Sequence, residues 1–239
     1  MTKRIRFASL VPVYLVILSL ILIVAAAGNW TVTTMLKEAP VGNRKCVIID
    51  PGHGGVDGGA TSCTGILESE LNLEISLRLD DLMHLLGIQT VMIRKTDISV
   101  HTQGESIGAK KVSDLKQRVN ITNSTENAML VSIHQNHFSD SRYSGAQVFY
   151  AGTSGSDRLA KDLQAALKTS LNPASKRQAK KADGVYLLQN IKCPGVLVEC
   201  GFLSNPEEEA KLKERSYQLK LCCVMACVVS NYLYSGSVA

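Results

Sequence analysis

His53, Glu68, His134 and Glu199 are the residues of this chain whose types and positions combine into a chemistry. His53 falls in Ile48-Ile-Asp-Pro-Gly-His-Gly-Gly55, just after the apolar run Cys46 to Ile49, which predicts a buried strand. Proline ends a strand ladder, and the crowded glycines that follow permit tight turns. The histidine therefore sits past a strand's C-terminal end, where open α/β sheets place their sites. His134 ends a second apolar strand, Leu130 to Ile133, in the same way. Glu68 opens a predicted helix, where a carboxylate also suits the helix dipole, and Glu70 and Glu74 fit that part equally. Two histidines and a glutamate are a ligand set for catalytic zinc that leaves a fourth position for water.

Glu199 ends the apolar strand Val196-Leu-Val-Glu. An acid in such a place is either half of a salt bridge or a general base. Apolar surroundings raise its pKa and a nearby cation lowers it, so sequence leaves the value open. Asn136 shares the strand face of His134 if the extended run continues, which makes it a candidate for substrate binding, whereas His137 points the other way. His84 and His101 have no matching partners and are set aside. The glycines around His53 do not hold a nucleotide. No lysine follows them as a Walker loop requires, and Asp57 stands where a dinucleotide fingerprint starting at Gly52 needs glycine.

The elements that position these residues alternate. A helix is predicted from Leu67 to Leu86, then a strand from Ile88 to Ile93 and a polar loop to Lys111. A helix over Asp114 to Asn123 precedes the His134 strand, and Ala146 to Tyr150 reads as another strand. After a helix from Asp157 to Leu171, the segment to Asp183 reads as solvated loop. Short strands are expected at 185–188 and 196–199. Asn205-Pro206 and the acidic turn 207–209 then open a helix, and a last helix runs from Tyr217 to Tyr234. The expectation is a single α/β domain with a mixed, largely parallel central sheet flanked by helices.

The chain has 239 residues, enough for one domain of roughly 200 residues with a real core. Lys3, Arg4 and Arg6 supply three of its 26 basic residues, so the other 23 face 21 acids. That near-balance gives no argument for nucleic-acid binding. From Phe7 to Leu36 there is no charge, and about twenty apolar residues suffice to span a bilayer. The expectation is an N-terminal transmembrane segment, with residues 1–28 as membrane anchor or signal, 29–43 as tether and 44–239 as catalytic domain. The preceding cations put the domain on the outer face of a bacterial cytoplasmic membrane, that of the cell or the forespore. Cleavage near Val24-Ala-Ala-Ala27, with secretion, is the competing reading. Seven cysteines leave at least one thiol unpaired in a monomer, and no zinc-ribbon spacing occurs, so no disulfide framework is expected.

Four separated motifs carry a resemblance: Ile48-Ile-Asp-Pro-Gly-His-Gly-Gly55, Leu67-Glu68 with its helix, Ser132-Ile-His-Gln-Asn136 and Val198-Glu-Cys-Gly-Phe-Leu-Ser-Asn205. From about Lys45 to Tyr234 the chain resembles the zinc-dependent N-acetylmuramoyl-L-alanine amidases of the amidase-3 family. The resemblance implies a mixed six-stranded α/β fold, Zn2+ on His53, Glu68 and His134, and Glu199 as catalytic acid/base. It implies peptidoglycan as substrate, cleaved between the lactyl group of N-acetylmuramic acid and L-alanine. Ser-Ile-His-Gln-Asn-His-Phe138 and the absence of wall-binding repeats look most like the sporulation branch, whose germination-specific members act in forming muramic-δ-lactam in spore cortex.

There are departures from the family pattern. Gln135 stands where many members have alanine, and Cys63 lies between two ligand positions, where a thiolate competes for zinc. The stretch Gly145 to Gly184 is too short for the autoinhibitory helix of division-associated relatives, which implies an open site with control left to expression, location or a regulatory protein partner. The rival readings are another zinc wall-peptide hydrolase, such as a carboxypeptidase, and a non-catalytic membrane-tethered wall-binding protein.

Overall fold

The computed structural model describes residues 45–235. Strand β1, Cys46–Pro51, leads through the glycine loop to helix α1, Glu68–Leu85, and strand β2, Gln89–Met92. Helix α2, Ile107–Ser124, strand β3, Ala128–Asn136, and strand β4, Gln147–Tyr150, follow. After helix α3, Ser156–Leu171, come the two-residue strand β5, Lys180–Lys181, and the short helix α4, Tyr186–Asn190. Strand β6, Gly195–Phe202, helix α5, Pro206–Lys213, and helix α6, Arg215–Ser235, complete the order. Asn205 caps α5 by accepting from the amides of Glu207 and Glu208, with Pro206 in the first turn.

The six strands form one sheet in the order β2-β1-β3-β6-β4-β5, and only the β4–β6 pairing is antiparallel. The sheet is mixed and largely parallel, covered by helices on both faces, which is why its central strands read as continuous apolar runs. The strand period of two divides each run between the faces. Val47, Ile49, Val131, Ile133, Val196 and Val198 join Leu71, Ile75, Leu159, Leu163, Leu221 and Met225 in the larger apolar layer, beneath α1, α3 and α6. Ile48, Leu130 and Leu197 face the smaller layer, with Leu187, Leu188 and Ile191.

Helix α2 begins well before the expected Asp114, where sequence predicted loop. Its fully buried residues are Ser113, Asp114, Arg118 and Thr122, so its most buried positions are polar, while Val119 and Ile121 pack half-buried against the smaller apolar layer. Ser106 Oγ caps it by accepting from the Ala109 amide at 3.2 Å. Residues 185–188, expected as a strand, are mostly the short helix α4, which buries Leu187 and Leu188. A four-residue apolar run fits either element.

The expected membrane segment is corrected. No helix of the described residues is long and apolar enough to cross a membrane. The long helices are two-sided: α1 alone carries Glu70, Glu74, Arg78 and Asp81 against an inner row of Leu71, Ile75 and Leu79. The expectation rested on residues 1–28, which lie outside the described residues. The fold class of the described residues is the α/β domain, and the membrane partner and membrane-anchored location expected with that segment are withdrawn.

Candidate metal centre

Three neighbouring parallel strands, β1, β3 and β6, bring the chemistry to one end of the sheet. Pro51 ends β1, and the Gly52 amide donates to the Ile133 carbonyl oxygen at 3.0 Å, so the loop leaves the sheet beside β3. His53 then adopts a left-handed backbone with φ of 60°. This conformation costs a non-glycine residue energy and persists only where the surroundings enforce it. Two buried guanidinium groups do so. Arg94 donates to the carbonyl oxygens of Pro51 at 2.9 Å and Gly52 at 3.0 Å, and Arg118 to that of His53 at 2.6 Å. Arg118 also pairs with Asp50 and Asp114. Ser132 Oγ donates to the Asp50 carboxylate at 2.6 Å from β3. Burial pushes Asp50 up, but Arg118 and Ser132 more than offset it and hold the carboxyl below its ordinary range.

His53, Glu68 and His134 converge, each offering a ligand atom within 4.8 Å of the others. His53 Nε2 lies 3.3 Å from Glu68 Oε2, and His134 Nδ1 lies 3.0 Å from Glu68 Oε1. The two imidazoles meet edge to face, with centroids 5.0 Å apart. Glu68 is buried at the first position of α1, its carboxylate accepting from the amides of Ala60 at 3.0 Å and Gln135 at 3.1 Å and from Asn72 Nδ2 at 3.3 Å. On the far side of His53, Nδ1 bonds to Asp57 Oδ2 at 2.9 Å, and Asp57 is paired with Lys111 at 2.7 Å.

The site is shaped for a cation. Burial favours neutral groups, yet Glu68 is held far below its ordinary pKa because His134 and His53 lie against it. Burial lowers His53, but Glu68 and Asp57 outweigh this and raise it to about 9. The cluster thus draws in positive charge, which a divalent cation supplies while leaving the imidazoles neutral. Glycine makes room. A Cβ on Gly52 would stand 2.2 Å from His134 Nε2, and one on Gly59 would stand 2.6 Å from Glu68 Oε2.

Glu199 pairs in register with His134 across β3 and β6. Its Oε2 is sealed from solvent without a hydrogen-bond partner, and no ion pair to it occurs among the described residues. The salt-bridge alternative therefore has no partner. Burial, reinforced by Glu68 and opposed by the two histidines, pushes its carboxyl up to about 7.

Asn136 closes β3 after a register shift between His134 and Asn136, so the simple alternation from which its direction was argued is interrupted beside the site. Cys63 is exposed and outside the cluster, as is His137. His84 bonds to Thr90 and His101 to Ser99, both away from it. All seven cysteines are free. Gln135, the departure in its motif, donates through Nε2 to Asn72 Oδ1 at 3.2 Å and so braces the residue that braces Glu68. Asn72, Asp57, Arg94 and Arg118 were not singled out in sequence as supports of the site. Asn72 was within reach, since it lies one helical turn after Glu68 on the same face. The arginines had no such signal.

The Amidase_3 family, described as N-acetylmuramoyl-L-alanine amidase, matches residues 47–226. The chain belongs to this amidase family. It is similar to a germination-specific N-acetylmuramoyl-L-alanine amidase of Bacillus subtilis (strain 168), 37% identical over 194 residues, covering 80% of this chain and 78% of the relative. Among solved structures, the CwlD amidase from Clostridioides difficile in complex with the GerS lipoprotein superposes with a TM-score of 0.77 at 35% identity, covering 80% of this chain and 100% of that one. An N-acetylmuramoyl-L-alanine amidase from Clostridium difficile 630 gives 0.70 at 31% identity, covering 81% and 98%. With its His/Glu/His cluster, the protein is a zinc-dependent amidase related to the germination and sporulation enzymes.

Proposed function

We propose that residues 44–239 act as the catalytic domain that cleaves the amide between the lactyl group of N-acetylmuramic acid and the L-alanine of the stem peptide, in the maturation of spore cortex. His53, Glu68 and His134 would hold Zn2+, and Glu199 would be the acid/base. The observation that carries the reading is the buried, unpartnered Glu199 Oε2 beside the three-ligand cluster. An uncompensated buried carboxyl costs stability and calls for a functional reason.

The zinc ion, when bound, supplies Lewis acidity that polarises the scissile carbonyl and acidifies water. Asp57 takes the hydrogen bond of His53 Nδ1, which keeps that ring's Nε2 lone pair aimed at the cluster. Glu199, with a pKa near 7, accepts the proton of the attacking water and delivers it to the departing L-alanine nitrogen. Asn136, one step along β3, is the candidate to hold the substrate.

Digestion of purified peptidoglycan by the zinc-loaded protein tests the reaction. Mass spectrometry should find stem peptides with free L-alanine amino termini and muramic acid with a bare lactyl group. Shortened peptides still attached to muramic acid would replace the amidase with a carboxypeptidase. Failure to take up zinc would favour a non-catalytic wall-binding role.

A further inference from the structure

An aromatic ridge stands just past the metal cluster and takes no part in the chemistry above. Phe138 follows β3 and Phe202 ends β6, three residues after Glu199. At the rise of a strand, Phe202 lies about 10 Å beyond Glu199. Tyr143 stacks near-parallel on Phe202 with centroids 6.1 Å apart, and Phe138 meets Tyr143 edge to face at 4.9 Å. Phe202 is buried, whereas Phe138 is 50% exposed and Tyr143 is 46% exposed.

This exposure does not come from a loose loop. The Phe138 amide donates to Ser204 Oγ at 3.1 Å, and Asn205 Nδ2 donates to the Tyr143 carbonyl oxygen at 3.2 Å. The rings are therefore held in place while half of each faces water, an arrangement that loses burial energy unless something covers it. The neighbouring charges are already engaged. Arg142 pairs with Asp140 at 2.7 Å, and the Arg177 guanidinium lies 4.6 Å from the Phe202 ring centre and donates to the Ser144 carbonyl oxygen. Between these charges the two exposed rings offer an aromatic surface suited to the C–H face of a sugar ring. Aromatic faces carry negative charge density, and the axial C–H bonds of a pyranose present the complementary positive edge.

The geometry points to Phe138 and Tyr143 as a glycan subsite, on which a sugar ring of the strand stacks while the muramoyl group lies at the metal cluster. This inference rests on the amidase reading, because it is the muramoyl link that brings a glycan past the ridge. It fixes which part of the substrate the enzyme reads beyond the cleaved bond: the chain of sugars.

The test separates the ridge from the catalysis. Glycan strands stripped of stem peptides serve as the binding probe, and the zinc-loaded parent is compared with Phe138→Ala, Tyr143→Ala and Phe138→Trp at equal folded fraction. The expected result is that each alanine variant binds bare glycan about tenfold more weakly, while Phe138→Trp retains binding. On peptidoglycan, the alanine variants should show the loss in KM rather than kcat. Equal binding of bare glycan by parent and alanine variants overturns the subsite, as does competition by free stem peptide but not by bare glycan. A parent that binds glycan through the ridge yet releases no L-alanine termini would retain the subsite and overturn the amidase reading instead.

Discussion

Arg118 bonds both to the buried carboxylate of Asp50 and to the carbonyl oxygen of His53, so one guanidinium joins the end of β1 to a residue of the metal cluster. Arg118→Lys retains the charge but not the planar fork that serves these acceptors together. The expected outcome is a clear fall in melting temperature, with weaker zinc binding by the fraction that folds. Calorimetry and metal analysis on one sample read both. An unchanged zinc affinity would confine Arg118 to the core.

His53→Ala and His134→Ala should each abolish stoichiometric zinc and hydrolysis, since two protein ligands remain in either variant. Metal content after dialysis is the readout. Full occupancy in either variant would move the site elsewhere.

Asp57 touches His53 and not the proposed metal position, so Asp57→Asn keeps the ligand set while weakening the acceptor that orients the ring. Such partners typically alter metal affinity or activity by about 10–100-fold. Competition with a chelator should show a shift of that order, and none if Lys111 and the loop alone fix the ring.

Glu199→Gln removes the proton acceptor at nearly constant size. Turnover per zinc-loaded molecule should fall at least about a hundredfold. Turnover within about tenfold of the parent would exclude Glu199 as the base.

The same substitution has an opposite effect on the stability of the metal-free protein. The folded-state pKa of Glu199 is raised to about 7 from an ordinary 4.5, so the folded state holds this proton more tightly than the unfolded chain. The resulting penalty on folding is absent below about pH 4.5, grows as pH rises and is complete above about pH 7. Glu199→Gln should therefore stabilise the metal-free protein at pH 8, by on the order of 3 kcal/mol, and do little at pH 4.5. Paired urea titrations at the two pH values give the difference, and a loss of stability at pH 8 would show that Glu199 is compensated after all.

Sequence was most informative where local pattern and burial agree. The runs ending at Pro51, His134 and Glu199 are apolar because both sheet faces are covered, and turn chemistry marks where the first of them ends. Asn205-Pro206 announced a helix start that the structure retains. Helix α2 was expected only from Asp114 to Asn123, and its first turns from Ile107 were missed because the helix buries Ser113, Asp114 and Arg118 on a polar face. Asp57, four residues from His53, was read as ruling out a dinucleotide loop and as a fallback base, not as the partner of that ring, since a hydrogen bond to a histidine leaves no periodic trace. The two arginines that hold the His53 loop are polar, buried and distant in sequence, and hydrophobic patterning is blind to all three.

The strand order has a consequence for the life of the chain. β1, β3 and β6 are neighbours in the sheet, yet β6 is the last strand to be made. On a ribosome, His53 and His134 emerge long before Glu199, and pairing between such distant segments is slow. With Glu199 as the proposed acid/base, the nascent hydrolase is inert by construction. It cannot assemble that proposed acid/base until β6 has been translated.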